Sequence, residues 1–122
     1  MSKIGISIIL PTLNEEDNLS LIIPEIISKF DSNNLIYEIV VVDDNSLDNT
    51  EKIMNEFVTK NQNIKFIKRE SNPSLPLSIY EGIKNSKMDY VMWLDADGSM
   101  PVDDMLEPVS YTHLRAHETE AY

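Results

Sequence analysis

The 122-residue chain has no cysteine, only three glycines, and no apolar run close to membrane-spanning length. Without cysteine it can form neither a disulfide nor a thiolate metal site. It has neither a G-x-G-x-x-G motif nor a P-loop, which argues against dinucleotide-binding and NTPase functions. A membrane helix needs about 20 apolar residues, so we expect the chain to be cytoplasmic.

Positive charge is also scarce. Ten lysine and arginine residues face 21 aspartate and glutamate residues, which gives a net charge of -11. A protein that binds along the phosphate backbone of a nucleic acid needs a basic face. We therefore expect no nucleic-acid partner. An acidic protein can still bind a phosphorylated ligand through a divalent cation, Mg²⁺ or Mn²⁺.

The last residues differ from the rest of the chain. The string VSYTHLRAHET, residues 109–119, resembles the translation of a transposase sequencing adapter. We therefore interpret residues 1–108 as natural sequence whose continuation is missing, and residues 109–122 as a non-native tail.

Residues 1–108 alternate two hydrophobic periods. Short apolar runs at 4–10, 39–42, 64–67 and 90–94 predict strands covered on both faces. Between them, apolar residues at i, i+3 and i+4 predict helices over 18–30, 49–60 and 77–84. This order predicts an α/β fold with a mostly parallel sheet.

Some single residues carry their own expectations. Pro24 lies inside the first helical pattern, so it should kink that helix or shift its start. Trp93, in the fourth strand, is expected in the core. Lys65, Lys68 and Arg69 flank the third strand and predict a solvated edge, with Arg69 within reach of a bound phosphate.

Three polar clusters follow predicted strands. They are PTLNEEDN at 11–18, DDNS at 43–46 and DADGS at 95–99. Ligands of parallel α/β sheets bind beyond the carboxyl ends of the strands, near the point where the strand order reverses. The clusters therefore predict one shared ligand site.

Each cluster has a functional interpretation. Two carboxylates at a rigid strand end, Asp95 and Asp97, can hold Mg²⁺ or Mn²⁺ that grips a diphosphate. A carboxylate in DDNS can accept a hydrogen bond from the ring N–H of uracil or guanine, which cytosine and adenine lack. Glu15 can bond a ribose hydroxyl while the backbone of residues 11–13 lines a base pocket.

Each cluster also has a structural alternative. Asp97 and the following glycine suit a turn. Asn45 and Asp48 favour a polar loop that leads to the next helix. Asn14 can cap the first helix, with the acids that follow it favouring the helix dipole.

Side by side, the segments SIILPTLNEEDNL, YEIVVVDDNSLDNT and YVMWLDADGSMPVDDM resemble family-two glycosyltransferases of the GT-A fold. They are most similar to dolichol- and polyprenol-phosphate sugar transferases. The resemblance implies a Rossmann-like fold, truncated at its C-terminus, whose residues 1–108 bind the nucleotide sugar. It also implies metal-dependent, inverting transfer of a sugar from GDP-mannose or a UDP-sugar to an acceptor, namely a polyprenyl phosphate.

The resemblance implies a role for individual residues as well. It implies that Pro11, Leu13 and Glu15 contact the nucleoside, and that Val42 and Asp44 bind the base. It also implies that Asp95 and Ala96 lie near the ribose and diphosphate. Asp97 would be the principal metal ligand beside Asp95, and Ser99 stands where several relatives have a coordinating glutamine. Pro73 and Pro76 replace a Gly-Leu-Gly-like turn of relatives, which leaves the donor preference open.

The same resemblance places the remaining functions in missing sequence. A general base, where a relative needs one, belongs to the later part of the domain, as do the elements that bind the acceptor. We therefore expect this chain alone to be inactive, and the full-length protein to work at the cytoplasmic face of the membrane.

Two other functions fit parts of the pattern. VVVDDNS is similar to the acidic opening of phosphoacceptor receiver domains, but those place the pair after their first strand and a lone aspartate after the third. A nucleotidyltransferase of similar architecture would need a glycine-rich basic loop after the first strand, and PTLNEEDN is neither glycine-rich nor basic.

Overall fold

The computed structural model describes residues 4–70 and 72–96. Strands and helices alternate through this part of the chain, as predicted. They are β1 (Gly5–Thr12), α1 (Glu16–Ser32), β2 (Ile36–Asp43), α2 (Thr50–Lys60), β3 (Ile64–Lys68), α3 (Leu75–Lys84) and β4 (Tyr90–Trp93). The described residues contain no helix that is both long and apolar enough to cross a bilayer.

The four strands form one sheet in the order β3-β2-β1-β4, and every neighbouring pair is parallel. This confirms the predicted parallel sheet. The chain steps outward from β1 to β2 and β3, then returns to the other side of β1. The order therefore reverses between β1 and β4, and a ligand crevice is expected at the carboxyl ends there.

Helices cover both faces of the sheet. Alternate residues of β1 point to opposite sides, so that Ile8 joins a core cluster with α1 and α2, and Ile9 joins a second cluster beside Ile83 of α3. Both β1 and β2 are buried almost throughout, whereas the outer strands β3 and β4 are only partly buried. The prediction of strands covered on both faces is thus confirmed for the central pair.

Helix α3 lies close against the sheet. An added Cβ at Gly82 would come within 2.5 Å of Cγ2 of Ile9, so only glycine permits this approach. The helix begins after Ser74, whose hydroxyl accepts a hydrogen bond from the backbone N–H of Leu77 at 3.3 Å. Pro76 follows in the first turn, where a missing N–H costs little. The N-terminus of α3 is thereby fixed near the carboxyl ends of the strands.

Two expectations concern single residues. Pro24 does not shift the start of α1, because the helix begins at Glu16 and continues past it to Ser32, so a kink at Pro24 stays a prediction. Trp93 is not in the core, since 46% of it is exposed. It lies on an outer strand, and α3 packs on β1 and β2 instead of covering that position.

A buried carboxylate joins three strands to the end of α3. The Oε2 atom of Glu38 accepts hydrogen bonds of 2.6 Å from both the Ser7 hydroxyl and the backbone N–H of Lys87. Its Oε1 atom lies 3.2 Å from Nζ of Lys65, which also donates to the carbonyl oxygen of Asn85 at 2.8 Å. Lys65 thus stays partly exposed on the outer strand β3, as the predicted solvated edge requires, while its ammonium group also bonds to the buried carboxylate.

This network controls the ionisation of Glu38. Burial by itself would raise the pKa of the carboxyl group, but the hydrogen bonds from Lys87, Ser7 and Lys65 outweigh it and hold the pKa below its ordinary value. Because the folded pKa lies below the unfolded one, ionised Glu38 stabilises the fold above the unfolded pKa. That contribution is lost as the pH falls through the folded pKa.

We expect Glu38→Gln to lower the free energy of unfolding by roughly 2–4 kcal/mol at pH 7, because Lys65 loses its buried partner. The difference from the unsubstituted chain should shrink as the pH falls through the folded pKa of Glu38, which lies below its ordinary value. Urea unfolding at pH 7 and at a series of lower pH values measures this. Glu51→Gln removes the same charge from a surface pair with Lys68, and should change stability by less than about 0.5 kcal/mol. A Glu38→Gln deficit that stays undiminished down to the lowest pH at which the chain folds would contradict the role of ionisation.

Candidate functional site

The chain stays in sheet register after the strands end. The backbone N–H of Asp44 donates to the carbonyl of Thr12 at 3.0 Å, and that of Arg69 donates to the carbonyl of Asp43 at 2.7 Å. On the other side of β1, the N–H of Leu94 reaches the carbonyl of Ile9 at 3.2 Å. The residues that follow each strand are therefore held together at one edge of the sheet.

Asp43 links the loops after β1 and β2. Its carboxylate accepts hydrogen bonds from the Thr12 hydroxyl at 3.0 Å, from the backbone N–H of Ser46 at 2.8 Å and from the Ser46 hydroxyl. The Ser46 oxygen in turn accepts the backbone N–H of Asn14 at 2.8 Å. All of these contacts lie within the protein, so Asp43 acts as a structural residue of the DDNS cluster.

Asparagine residues, not glycines, occupy the left-handed backbone positions of these loops. Asn14 and Asn45 have φ values of 54° and 64°, and asparagine tolerates this region better than most residues. The Oδ1 atom of Asn14 accepts the backbone N–H of Leu47 at 2.8 Å. The polar loop expected at Asn45 and Asp48, leading to the next helix, is confirmed. The helix cap expected at Asn14 is wrong, because Glu15 occupies the N-cap position of α1.

Asp48 joins the N-termini of two helices. Its Oδ2 accepts the backbone N–H of Glu16 in α1 at 3.2 Å, while Oδ1 accepts the N–H and the hydroxyl of Thr50 in α2 at 3.0 and 2.6 Å. Burial would raise the pKa of Asp48, but these hydrogen bonds outweigh it and lower the pKa. The loops after β1 and β2 thus form one cross-linked unit.

Asp44 is held by a cation and by the start of α3. It is 8% exposed, forms an ion pair with the guanidinium of Arg69, and accepts the backbone N–H of Ser74 at 3.0 Å through Oδ2. Arg69 also approaches the Ser78 hydroxyl at 3.5 Å and the carbonyl of Asn72 at 3.4 Å. A carboxylate and a guanidinium therefore lie side by side at the strand ends.

Arg69 is the residue whose role the sequence analysis missed. Its side chain is only 13% exposed, so the prediction of a solvated edge is wrong for it, while Lys68 next to it is exposed as predicted. A usable signal was present, because Arg69 directly follows β3 just as Asp44 directly follows β2. Residues in that position on parallel strands meet at one edge.

The other residues predicted at the nucleoside are spread along the same edge. Pro11 is buried opposite Val42 in the β1–β2 register. Val42 is fully buried. Leu13 is exposed, and Glu15 is partly buried with its Oε2 accepting from Asn18 at 2.7 Å. Their ligand contacts remain predictions.

The predicted metal site is described only in part. Asp95 lies just beyond β4 and is exposed, whereas Ala96 is buried. Asp97 and Ser99 fall outside the described residues. Within residues 4–70 and 72–96, no three histidine or acidic side chains are grouped so as to hold a metal. An exposed carboxylate such as that of Asp95 is the type of oxygen ligand that Mg²⁺ and Mn²⁺ prefer.

Comparison with known proteins decides the family. The model of the family described as glycosyl transferase family 2 matches residues 7–117. The chain belongs to glycosyl transferase family 2. The resemblance inferred from the three polar clusters is confirmed, and the receiver and nucleotidyltransferase alternatives are set aside.

Curated relatives agree with this family. The chain is 30% identical over 107 residues to dolichyl-phosphate beta-glucosyltransferase ALG5D of Trichomonas vaginalis, covering 84% of this chain and 33% of that protein. It is 37% identical over 98 residues to dolichol-phosphate mannosyltransferase of Pyrococcus furiosus, covering 79% of this chain and 26% of the relative. The chain thus spans a third or less of these family 2 proteins.

Solved structures agree on the fold. S. aureus TarS 1-349 in complex with UDP-GlcNAc is 26% identical with a TM-score of 0.64, over 87% of this chain and 30% of TarS. The mannosyltransferase PcManGT of Pyrobaculum calidifontis, in complex with GDP-Man and Mn²⁺, is 18% identical with a TM-score of 0.72, over 93% of this chain and 33% of PcManGT. The expected GT-A type of α/β fold is confirmed.

We expect Arg69→Gln to lower the free energy of unfolding by about 2–4 kcal/mol, because it leaves the buried carboxylate of Asp44 without its cation. Lys68→Gln removes the same charge one residue earlier, from an exposed pair with Glu51, and should cost less than about 1 kcal/mol. Urea unfolding of both variants measures the difference. Equal losses in the two would show that the Asp44–Arg69 pair does not stabilise the site.

Proposed function

We propose that this family 2 chain is the donor-binding part of a metal-dependent glycosyltransferase. The enzyme would transfer a sugar from a nucleoside diphosphate to an acceptor, with inversion at the anomeric carbon. One observation carries the proposal: Asp44, buried and charge-paired, lies at the carboxyl end of β2 in a parallel sheet, one strand away from the point where strand order reverses. That is where α/β sheets bind their ligands.

In the proposal the nucleoside lies along the strand ends. Asp44 accepts a ring N–H of uracil or guanine, while the backbones of Pro11, Leu13 and Val42 line the base. Glu15 bonds a ribose hydroxyl. The S. aureus TarS complex with UDP-GlcNAc supports a nucleotide-sugar ligand, since the match to TarS covers 87% of this chain.

The metal would lie at the end of β4. Asp95 and Asp97, with Ser99, would hold Mg²⁺ or Mn²⁺, with Asp95 and Ala96 close to the ribose and diphosphate. Bound there, the cation would neutralise the charge that builds up on the departing diphosphate. The chemistry of this donor set supports the assignment, because carboxylate and hydroxyl oxygens are ligands that both ions accept.

The acceptor would be a polyprenyl phosphate. Both curated relatives described above are named for dolichyl- or dolichol-phosphate substrates. The phosphate oxygen of such an acceptor is already anionic, so it can attack the anomeric carbon in line without a protein base while the nucleoside diphosphate leaves. Sequence outside residues 1–108 would bind this lipid at the cytoplasmic face of the membrane, so the chain by itself should transfer no sugar.

We expect the 122-residue chain to bind UDP or GDP more tightly when Mn²⁺ is present, by about tenfold or more. Asp97→Asn should remove most of this gain, because it takes away the proposed principal ligand. Asp89→Asn, which makes the same charge change at an exposed residue before β4, should retain it. Isothermal titration calorimetry measures both variants. Folded chain that binds neither nucleotide, or binds them equally well without metal, would overturn the proposal.

We also propose that residues 109–122 are foreign to the protein, because VSYTHLRAHET resembles the translation of a sequencing adapter. Amplifying the source DNA from the codons around Asp95 outward and reading past Pro108 tests this. The reading frame should continue into different sequence that carries the acceptor-binding part of the domain. Genomic DNA that encodes VSYTHLRAHET would show that the tail is natural.

A further inference from the structure

Strand β4 leads directly into the proposed metal ligands, yet it is short and lies at one side of the sheet. It has four residues, none of them buried, and within the described part of the chain it pairs with β1 alone, along residues 6–9. The register of a strand is strongly fixed only where one of its faces is buried. Side-chain burial therefore holds β4 in place less firmly than β1 and β2, whose residues are almost all buried.

The register of β4 matters because metal ligands tolerate little displacement. Asp95 comes two residues after the end of β4, and Asp97 follows two residues later. One step along a strand moves a residue by about 3.3 Å, whereas the ligands of a cation must lie within about 0.2 Å of their ideal distances. The contacts that fix β4 along β1 therefore also set where these carboxylates lie.

The chain that enters β4 is bonded to side chains of both central strands. The backbone N–H of Met88 donates to the Ser7 hydroxyl at 3.2 Å, and that of Lys87 donates to Oε2 of Glu38 at 2.6 Å. The Ser7 hydroxyl donates in turn to the same Oε2 atom at 2.6 Å. Ser7 and Glu38 face each other in the β1–β2 register and are both buried. Two buried side chains of the central strands thus hold the backbone just before β4.

These two side chains are themselves held from other directions. Lys65 of β3 lies 3.2 Å from Oε1 of Glu38 and donates to the carbonyl of Asn85, just after α3, at 2.8 Å. On β1, a Cβ at Gly5 would collide with Sδ of Met88, so Met88 lies close against the strand. Contacts from three strands therefore meet where the chain leaves α3 and enters β4.

We propose that Ser7 and Glu38 are positioning residues for the proposed metal site. By fixing the entry of β4 along β1, they set where Asp95 and Asp97 lie beyond its other end. This inference rests on the proposed function. Ser7 and Glu38 lie near the amino ends of their strands, whereas the ligands follow the carboxyl end of β4, so the effect passes through β4.

Ser7→Ala tests this role, because it removes the hydroxyl that joins Met88 to Glu38. Ser86→Ala is the matched control, since it removes a buried serine hydroxyl that bonds to the carbonyl of Gly82 at 2.7 Å. Isothermal titration calorimetry of each chain measures the affinity for UDP and GDP with and without Mn²⁺. The gain in affinity from Mn²⁺ should fall at least about threefold in Ser7→Ala and persist in Ser86→Ala. The affinity without metal should be the same in both.

Amide hydrogen exchange of the ¹⁵N-labelled chain provides a second readout, which needs no ligand. The N–H of Leu94 bonds to Ile9 across the β1–β4 pair, and that of Asp44 bonds to Thr12 across the β1–β2 pair. In Ser7→Ala the amide of Leu94 should exchange faster while that of Asp44 keeps its rate, because only β4 is released.

A second variant covers the case in which Ser7→Ala does not fold. Glu38→Gln keeps the shape of the side chain but weakens the bond from Lys87, because a neutral oxygen accepts less strongly than a carboxylate. It should lower the gain from Mn²⁺ and speed the exchange of the Leu94 amide in the same way.

The outcomes separate the two proposals. An unchanged gain from Mn²⁺ in the folded variant would overturn the positioning role and leave the glycosyltransferase proposal standing. Equal losses in Ser7→Ala and Ser86→Ala, or equally faster exchange at Leu94 and Asp44, would show a general loss of structure and would also overturn it. No gain from Mn²⁺ in the folded, unsubstituted chain would overturn the proposed function itself, and the positioning role with it.

Discussion

The parallel pairing of β1 with β2 is the constraint on which the site depends. Eight residue pairs run from Gly5 opposite Ile36 to Thr12 opposite Asp43, and a further backbone bond joins Asp44 to Thr12. A shift of the strand pairing by one residue would move the side chain of Asp43, and likewise that of Asp44, to the other face of the sheet from the one it now occupies. The register thus decides which aspartate ties the loops together and which lies beside Arg69.

In this strongly acidic chain, each buried carboxylate accepts hydrogen bonds from a specific set of donors or pairs with a cation. Glu38 is bonded beneath α3, Asp43 and Asp48 link the first two loops, and Asp44 is paired with Arg69. Burying a charge without such partners is costly. Among the described acids at the strand ends, Asp43 and Asp48 are held within the protein, Asp44 is paired with Arg69, and Asp95 is exposed and so open to a cation.

Much of the architecture followed from local patterns. Continuous apolar runs and helical periodicity predicted the element order and the parallel sheet, and the strand-end rule correctly placed the first two polar clusters together. The sequence could not show which of its 21 acids would meet which donors, because those contacts join residues about 30 positions apart, as between Asp43 and Thr12. Trp93 was misjudged because an apolar strand residue is buried only where a helix covers it, and that depends on the sheet order.

The central claim is that the fold prepares the base-binding edge before any nucleotide arrives. A crystal structure of the chain with UDP and Mn²⁺ tests it most directly. The account predicts the uracil ring against Asp44, with the Asp44–Arg69 pair intact, the first two loops cross-linked as described, and the diphosphate directed toward Asp95. A nucleotide bound away from Asp44, or an Asp44–Arg69 pair broken to admit it, would contradict the account.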